Sequence, residues 1–168
     1  MRKYCSIEEF KESMWKFENE DGKIIFSEKE LQNIFPLTRE YSTELWKIWI
    51  SEVDGQTEFR MIDQANVNMK EEVFCPPRCG WGNEEQQNKI IKRLKDTLNL
   101  NEDEPITYFW QSFEAIETIW GIYTKYWTDF WYPGYEGIVI PHNSDKAIIF
   151  TENSYMLLVD RKKCFGLH

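Results

Sequence analysis

The sequence predicts an α+β fold: a single domain on an antiparallel sheet that includes a carboxy-terminal three-strand meander, packed by an aromatic-rich helix and several amino-terminal helices. Three observations predict it. Residues 137–140, 146–150 and 155–159 are short apolar runs parted by the polar turns His142-Asn143-Ser144-Asp145 and Glu152-Asn153-Ser154, the pattern of consecutive hairpins. The amino-terminal half repeats helix-start signals ahead of apolar residues at helical spacing. Between the two, residues 106–131 hold so many aromatics that the rest reads as arranged around them, a strand feeding a long helix.

In chain order, Ser6-Ile7-Glu8-Glu9 is a capping box, and Ile7, Phe10, Met14 and Phe17 then give a first helix to about Phe17. Asp21-Gly22 turns into a short strand at 23–26. Ser27-Glu28-Lys29-Glu30 is a second capping box, opening a short helix that ends before Pro36. Thr38 caps a third helix whose core stripe is Tyr41, Leu45, Ile48 and Trp49. Residues 51–82 lack clear periodicity and read as a long loop, with a short element at 57–62. Asn83-Glu84-Glu85-Gln86 opens a fourth helix facing inward through Ile90, Ile91, Leu94 and Leu98. The strand 106–110 follows.

Ser112 is the expected N-cap of the organising helix, which Tyr132-Pro133-Gly134 stops. At 100° per residue, Ile119, Trp120, Tyr123, Tyr126, Trp127, Phe130 and Trp131 share one arc, so Trp120, Tyr123 and Trp127 are expected to be buried. Glu114, Glu117, Gly121 and Asp129 take the opposite side. A mid-helix glycine costs about 1 kcal/mol relative to alanine, so Gly121 implies a close approach, by another segment of this chain or by a partner. The tail 160–168 is read as flexible.

The chain has 168 residues, 42% of them hydrophobic, with 8 Trp, 8 Tyr and 11 Phe, ample for one domain with its own core. Asp and Glu outnumber Lys and Arg by 29 to 20, a net charge of -9, which disfavours nucleic acid and anionic membranes and favours basic partners. No apolar run approaches a membrane span and the amino terminus has no signal-peptide core, so a cytoplasmic protein is expected. Cys5, Cys75, Cys79 and Cys164 are irregularly spaced, which favours free thiols over a disulfide framework.

Sequences for catalysis are sparse. Cys75 and Cys79 supply two thiolates where structural zinc needs four ligands, and neither His142 nor His168 lies at finger spacing, so no metal is expected. No phosphate-cradling glycine motif is present, and no cofactor is expected. His142 follows Pro141 in a turn, without a serine or cysteine motif to serve.

The run Ala115-Ile116-Glu117-Thr118-Ile119-Trp120-Gly121-Ile122-Tyr123, then Tyr126-Trp127-Thr128-Asp129-Phe130 and Tyr132-Pro133, resembles an uncharacterised bacterial family, a domain of unknown function. Its helix has the form E-T-x-W-G-(V/I)-(F/Y), leading to x-W-x-(D/N)-F and terminal strands. Ile25-Phe26-Ser27, Leu31, Ile34, Pro36-Leu37 and Leu45-Trp46 resemble its amino-terminal half. The resemblance implies a shared α+β fold and no activity.

Acidity, aromatic excess and the lack of a catalytic set lead to one expectation: an immunity protein that binds and neutralises a basic, nuclease-like toxin domain. Its interface is expected to put carboxylates beside rigid aromatics, at Glu114, Glu117, Gly121, Asp129, Tyr135, Glu136 and Asp145. The alternatives are an enzyme using Glu117, His142 and a loop cysteine, which requires Glu117 and His142 to share a face, and a homo-oligomeric structural module.

Overall fold

The carboxy-terminal strands carry apolar side chains at consecutive positions because both faces of their sheet are covered. The computed structural model describes residues 2–50, 67–72, 84–131, 136–151 and 155–161. Within them, β1 (Phe35–Pro36), β2 (Val67–Glu72), β3 (Pro105–Gln111), β4 (Glu114–Ile119), β5 (Gly137–Pro141), β6 (Lys146–Phe150) and β7 (Tyr155–Asp160) form one sheet. Its order is β1-β4-β3-β5-β6-β7-β2, and each pairing is antiparallel. The expected meander and the strand joined to it are therefore both present.

Side chains alternate between the faces as the pleat requires. Ile106, Tyr108, Ile116, Val139, Ile148, Phe150, Met156 and Leu158 fill one face. Phe109, Ala115, Ile138, Ile140, Ala147, Ile149, Leu157 and Val159 fill the other. The first face is covered by residues of α1 (Lys11–Met14), the 3-10 turn Trp15–Phe17, α4 (Glu84–Leu98), α5 (Trp120–Lys125) and α6 (Trp127–Phe130), with Phe26 and Ile34 beside α2 (Glu28–Leu31). The second is covered by α3 (Arg39–Trp49) through Leu45 and Trp46, with Ile50 just beyond it.

The local start signals appear as hydrogen bonds. Ser6 N donates to Glu9 Oε2 at 2.6 Å, and Glu9 N donates to Ser6 Oγ at 3.1 Å. The segment after this box is turns, α1 and a 3-10 turn rather than one regular helix, yet Phe10, Met14 and Phe17 are buried as their spacing suggested. Ser27 and Glu30 form a complete capping box, and the Thr38 hydroxyl accepts from Tyr41 N. The α3 stripe is shifted from the expected one. Leu45 is buried, with Tyr41 and Trp49 packed against the same cluster as expected, but Ser42 and Trp46 are buried as well and Ile48 is 54% exposed.

Four further expectations are corrected. Residues 23–26 form no strand; they make one bridge, Glu18 to Ile24, around a turn in which Gly22 has φ +69. The span 51–82 contains the edge strand β2, which pairs with β7; the element expected at 57–62 lies outside the described residues. Asp160, read as the start of the tail, ends β7, and residues 162–168 lie outside the described residues.

The long organising helix is the largest correction. Its first part, Glu114–Ile119, is strand β4, returning from β3 through the turn at Ser112 and Phe113. Ala115 and Ile116 are both fully buried, which suits a strand covered on both faces. Ser112 caps nothing; its carbonyl accepts from Ser42 Oγ at 3.1 Å. The helix proper starts at Trp120, with Trp120 N donating to the Glu104 carbonyl and Gly121 N to the Glu102 carbonyl, each at 2.8 Å. Those carbonyls satisfy amides that a helix start leaves without intrahelical partners. They also account for Gly121: a Cβ there would lie 3.1 Å from Glu102 O and 2.5 Å from its Oε2. The segment approaching this glycine belongs to the same chain.

Glu30 ties α2 to α5. Its carboxylate takes Lys125 Nζ at 2.6 Å, Tyr126 Oη at 3.0 Å and Ser27 N at 2.8 Å. The Lys125 hydrogen bond, with the Ser27 bonds, lowers the carboxyl from 4.5 to about 2. A depressed folded-state pKa contributes stability that is complete above the unfolded value and is lost as pH falls through the folded one. Acidification from pH 4.5 towards 2 should therefore lower the wild-type Tm more than that of Glu30→Gln. Parallel thermal melts across that window check this; equal losses would mean that Glu30 is not the group responsible.

Candidate functional site

Strand parity divides the carboxylates that a helix would have put together. Glu114 shares the side of Ile116, where Lys16 Nζ pairs with it; both side chains are 14% exposed. Lys16 also lies 4.7 Å from the Trp110 ring centre and 5.6 Å from that of Trp15. The Glu114 charge is thus compensated within the fold. Glu117 shares the side of Ala115, on the opposite face.

There the amino-terminal segment crosses the sheet edge. Tyr4 bridges to Leu37, Cys5 N donates to the Pro36 carbonyl at 3.0 Å, Thr38 N to Lys3 O at 2.9 Å, and Thr38 Oγ1 to Arg2 O at 2.8 Å. β1 pairs with the outer edge of β4, setting Phe35 opposite Glu117. Tyr4 Oη donates to Glu117 Oε2 at 2.7 Å. That bond to a carboxylate holds the phenol proton and pushes the Tyr4 pKa up to about 12. The Tyr4 and Phe35 ring centres are 5.6 Å apart, and the two residues are 40% and 42% exposed. A carboxylate oriented by one aromatic and flanked by a second therefore sits on ordered β structure.

The same face carries a second polar group. Thr107, opposite Glu117 in the β3–β4 register, has its hydroxyl 2.9 Å from His142 Nε2. His142 lies half-buried, its ring centre 5.3 Å from that of Trp49. Burial lowers the imidazole pKa, with Glu117 and Glu104 raising it and Arg161 lowering it, so the balance favours the neutral ring. Glu117 and His142 do share a face, as the enzymatic alternative requires. Thr107 is nevertheless fully buried, which makes its contact with His142 the satisfaction of a core hydroxyl. The loop cysteines, Cys75 and Cys79, lie outside the described residues.

The other expected interface residues are dispersed. Asp129 is exposed on α6, with partial desolvation raising its carboxyl. Asp145 lies in the turn after β5, where its carbonyl accepts from Arg161 N at 2.7 Å. Glu136 immediately precedes β5, Gly121 is closed off by Glu102, and Tyr135 lies outside the described residues. Tyr4 and Phe35 were not foreseen, because Tyr4 reaches Glu117 across 113 positions.

Among the described residues no group of His, Cys, Asp and Glu is placed to hold a metal ion, and no helix is long and apolar enough to cross a membrane. Fold and surface define a three-layer α+β domain, a fully antiparallel sheet between helical layers, with an aromatic and carboxylate-bearing edge. The chain belongs to the DUF2947 family of proteins of unknown function, whose profile matches residues 4–158. Comparisons with curated proteins and with solved structures found no match.

Proposed function

We propose that this protein is a small cytoplasmic inhibitor, an immunity protein that binds a basic, nuclease-like toxin domain and occludes its phosphate-binding surface. The observation that carries this reading is the sheet edge at Tyr4, Phe35 and Glu117. It presents a fixed carboxylate between exposed rings, with charge to steer a cationic partner and aromatic area to hold it. The net charge of -9 acts in the same direction at longer range.

The test is neutralisation. Co-expression with a basic toxin encoded beside the gene should restore growth, and the two proteins should co-purify. Failure of both with each neighbouring candidate would overturn the proposal. Charge reversal at Glu117, Asp129 and Glu136 to lysine should slow association about tenfold or more and flatten its salt dependence, with the circular dichroism spectrum unchanged. Stopped-flow rates at two ionic strengths check this. Unchanged rates would place the interface elsewhere.

A further inference from the structure

Several carboxylates positioned by this fold already have a cation. Glu9 pairs with Arg2 at 2.8 Å, Glu30 with Lys125 at 2.6 Å, Glu85 with Lys89 at 2.7 Å and Glu102 with Lys95 at 3.1 Å, and Glu114 pairs with Lys16. Glu117 differs: among the described residues it is held by the Tyr4 hydroxyl alone. A neutral donor orients a carboxylate without cancelling its charge. It occupies Oε2, so Oε1 remains an acceptor for a group arriving from outside.

The surroundings select that group. The Tyr4 and Phe35 rings, tilted 46° to one another, offer π surface beside the carboxylate, which favours a cation that is itself flat. Addition of a partner strand is disfavoured at this edge, since β1 is two residues long and Pro36 has no N–H to donate. Recognition here therefore falls to side chains. Lysine would bring a point charge, whereas a guanidinium can hydrogen-bond in its plane and stack through its face.

We propose that Glu117, Tyr4 and Phe35 form a seat for an arginine side chain of a basic protein partner. The proposal rests on the reading that the chain binds such a partner, and it names the contact. Arginine enters with its N–H groups on Glu117 and its plane against Tyr4 and Phe35, leaving the Tyr4 to Glu117 bond intact.

The experiment is an NMR titration of the ¹⁵N-labelled chain with acetyl-Gly-Arg-Gly-amide and with the same peptide carrying lysine or citrulline. The arginine peptide should shift the amides of Tyr4, Phe35 and Glu117, the lysine peptide should bind more weakly, and citrulline should give no shifts. Glu117→Gln should weaken arginine binding about tenfold, the scale of one charge-assisted hydrogen bond. Phe35→Ala should weaken it less, and Asp96→Asn, which removes the same charge at an exposed position of α4, should leave it unchanged. Shifts scattered over the acidic surface, equal response to lysine, or undiminished binding by Glu117→Gln would overturn the seat. If Glu117→Gln still neutralises a toxin with unaltered affinity, the seat is wrong and the inhibitor reading stands. If the seat takes arginine and no neighbouring toxin is neutralised, the inhibitor reading fails instead.

Discussion

Truncating Trp120 to alanine is expected to lower the unfolding free energy by about 3–5 kcal/mol. The indole is 1% exposed and stacks on Tyr123 with ring centres 5.5 Å apart. It belongs to the layer that seals one face of the sheet with Tyr123, Trp127 and Phe130. Trp120 also opens α5, where its amide bonds to Glu104, so the backbone around the truncated side chain is anchored and closes poorly over the void. Residual cavity, as well as lost transfer free energy, then enters the cost. Trp15, 53% exposed, is the control; its alanine variant should lose under about 1 kcal/mol. Urea unfolding of both variants measures the difference, and comparable small losses would show that Trp120 does not pack as described.

Legibility in the sequence followed the range of the interactions. Ser6 to Glu9, Ser27 to Glu30 and Thr38 to Tyr41 are bonds closed within one helical turn, so their residue types announce them. The meander was legible because neighbouring strands pair in register across short turns. The segment Glu114–Ile119 was not, since its apolar residues Ile116 and Ile119, three apart, also fit a helical arc and only pairing with β3 decides the matter. Parity followed from that error: residues three apart share a helix face, whereas in a strand they lie on opposite faces. Glu114 and Glu117 thus parted, one to Lys16 and the other to Tyr4. The edge at Tyr4, Phe35 and Glu117 draws on three separate stretches of chain, and none of them carries a local sign of the others.

Gly137→Ala should destabilise by about 3 kcal/mol or more, although it adds one methyl group. The reason lies across the sheet. A Cβ at Gly137 would lie 2.1 Å from Tyr108 Oη and 2.8 Å from its Cζ, and neither side can yield easily. Tyr108 is fully buried, with Trp110, Tyr123 and Phe130 rings around it, and Gly137 is buried at the start of β5, next to β6. The Tyr108 hydroxyl has no hydrogen-bond partner among the described residues, and burial pushes its pKa far up. Removing that oxygen breaks no hydrogen bond among the described residues and relieves a desolvated polar group, so Tyr108→Phe alone should be neutral or stabilising by about 1 kcal/mol. It also removes the nearest clash, leaving Cζ in place. In a double-mutant cycle Tyr108→Phe should recover about 1–2 kcal/mol of the Gly137→Ala loss, but not all of it. Additive losses in urea unfolding would show that the methyl group and the hydroxyl do not meet.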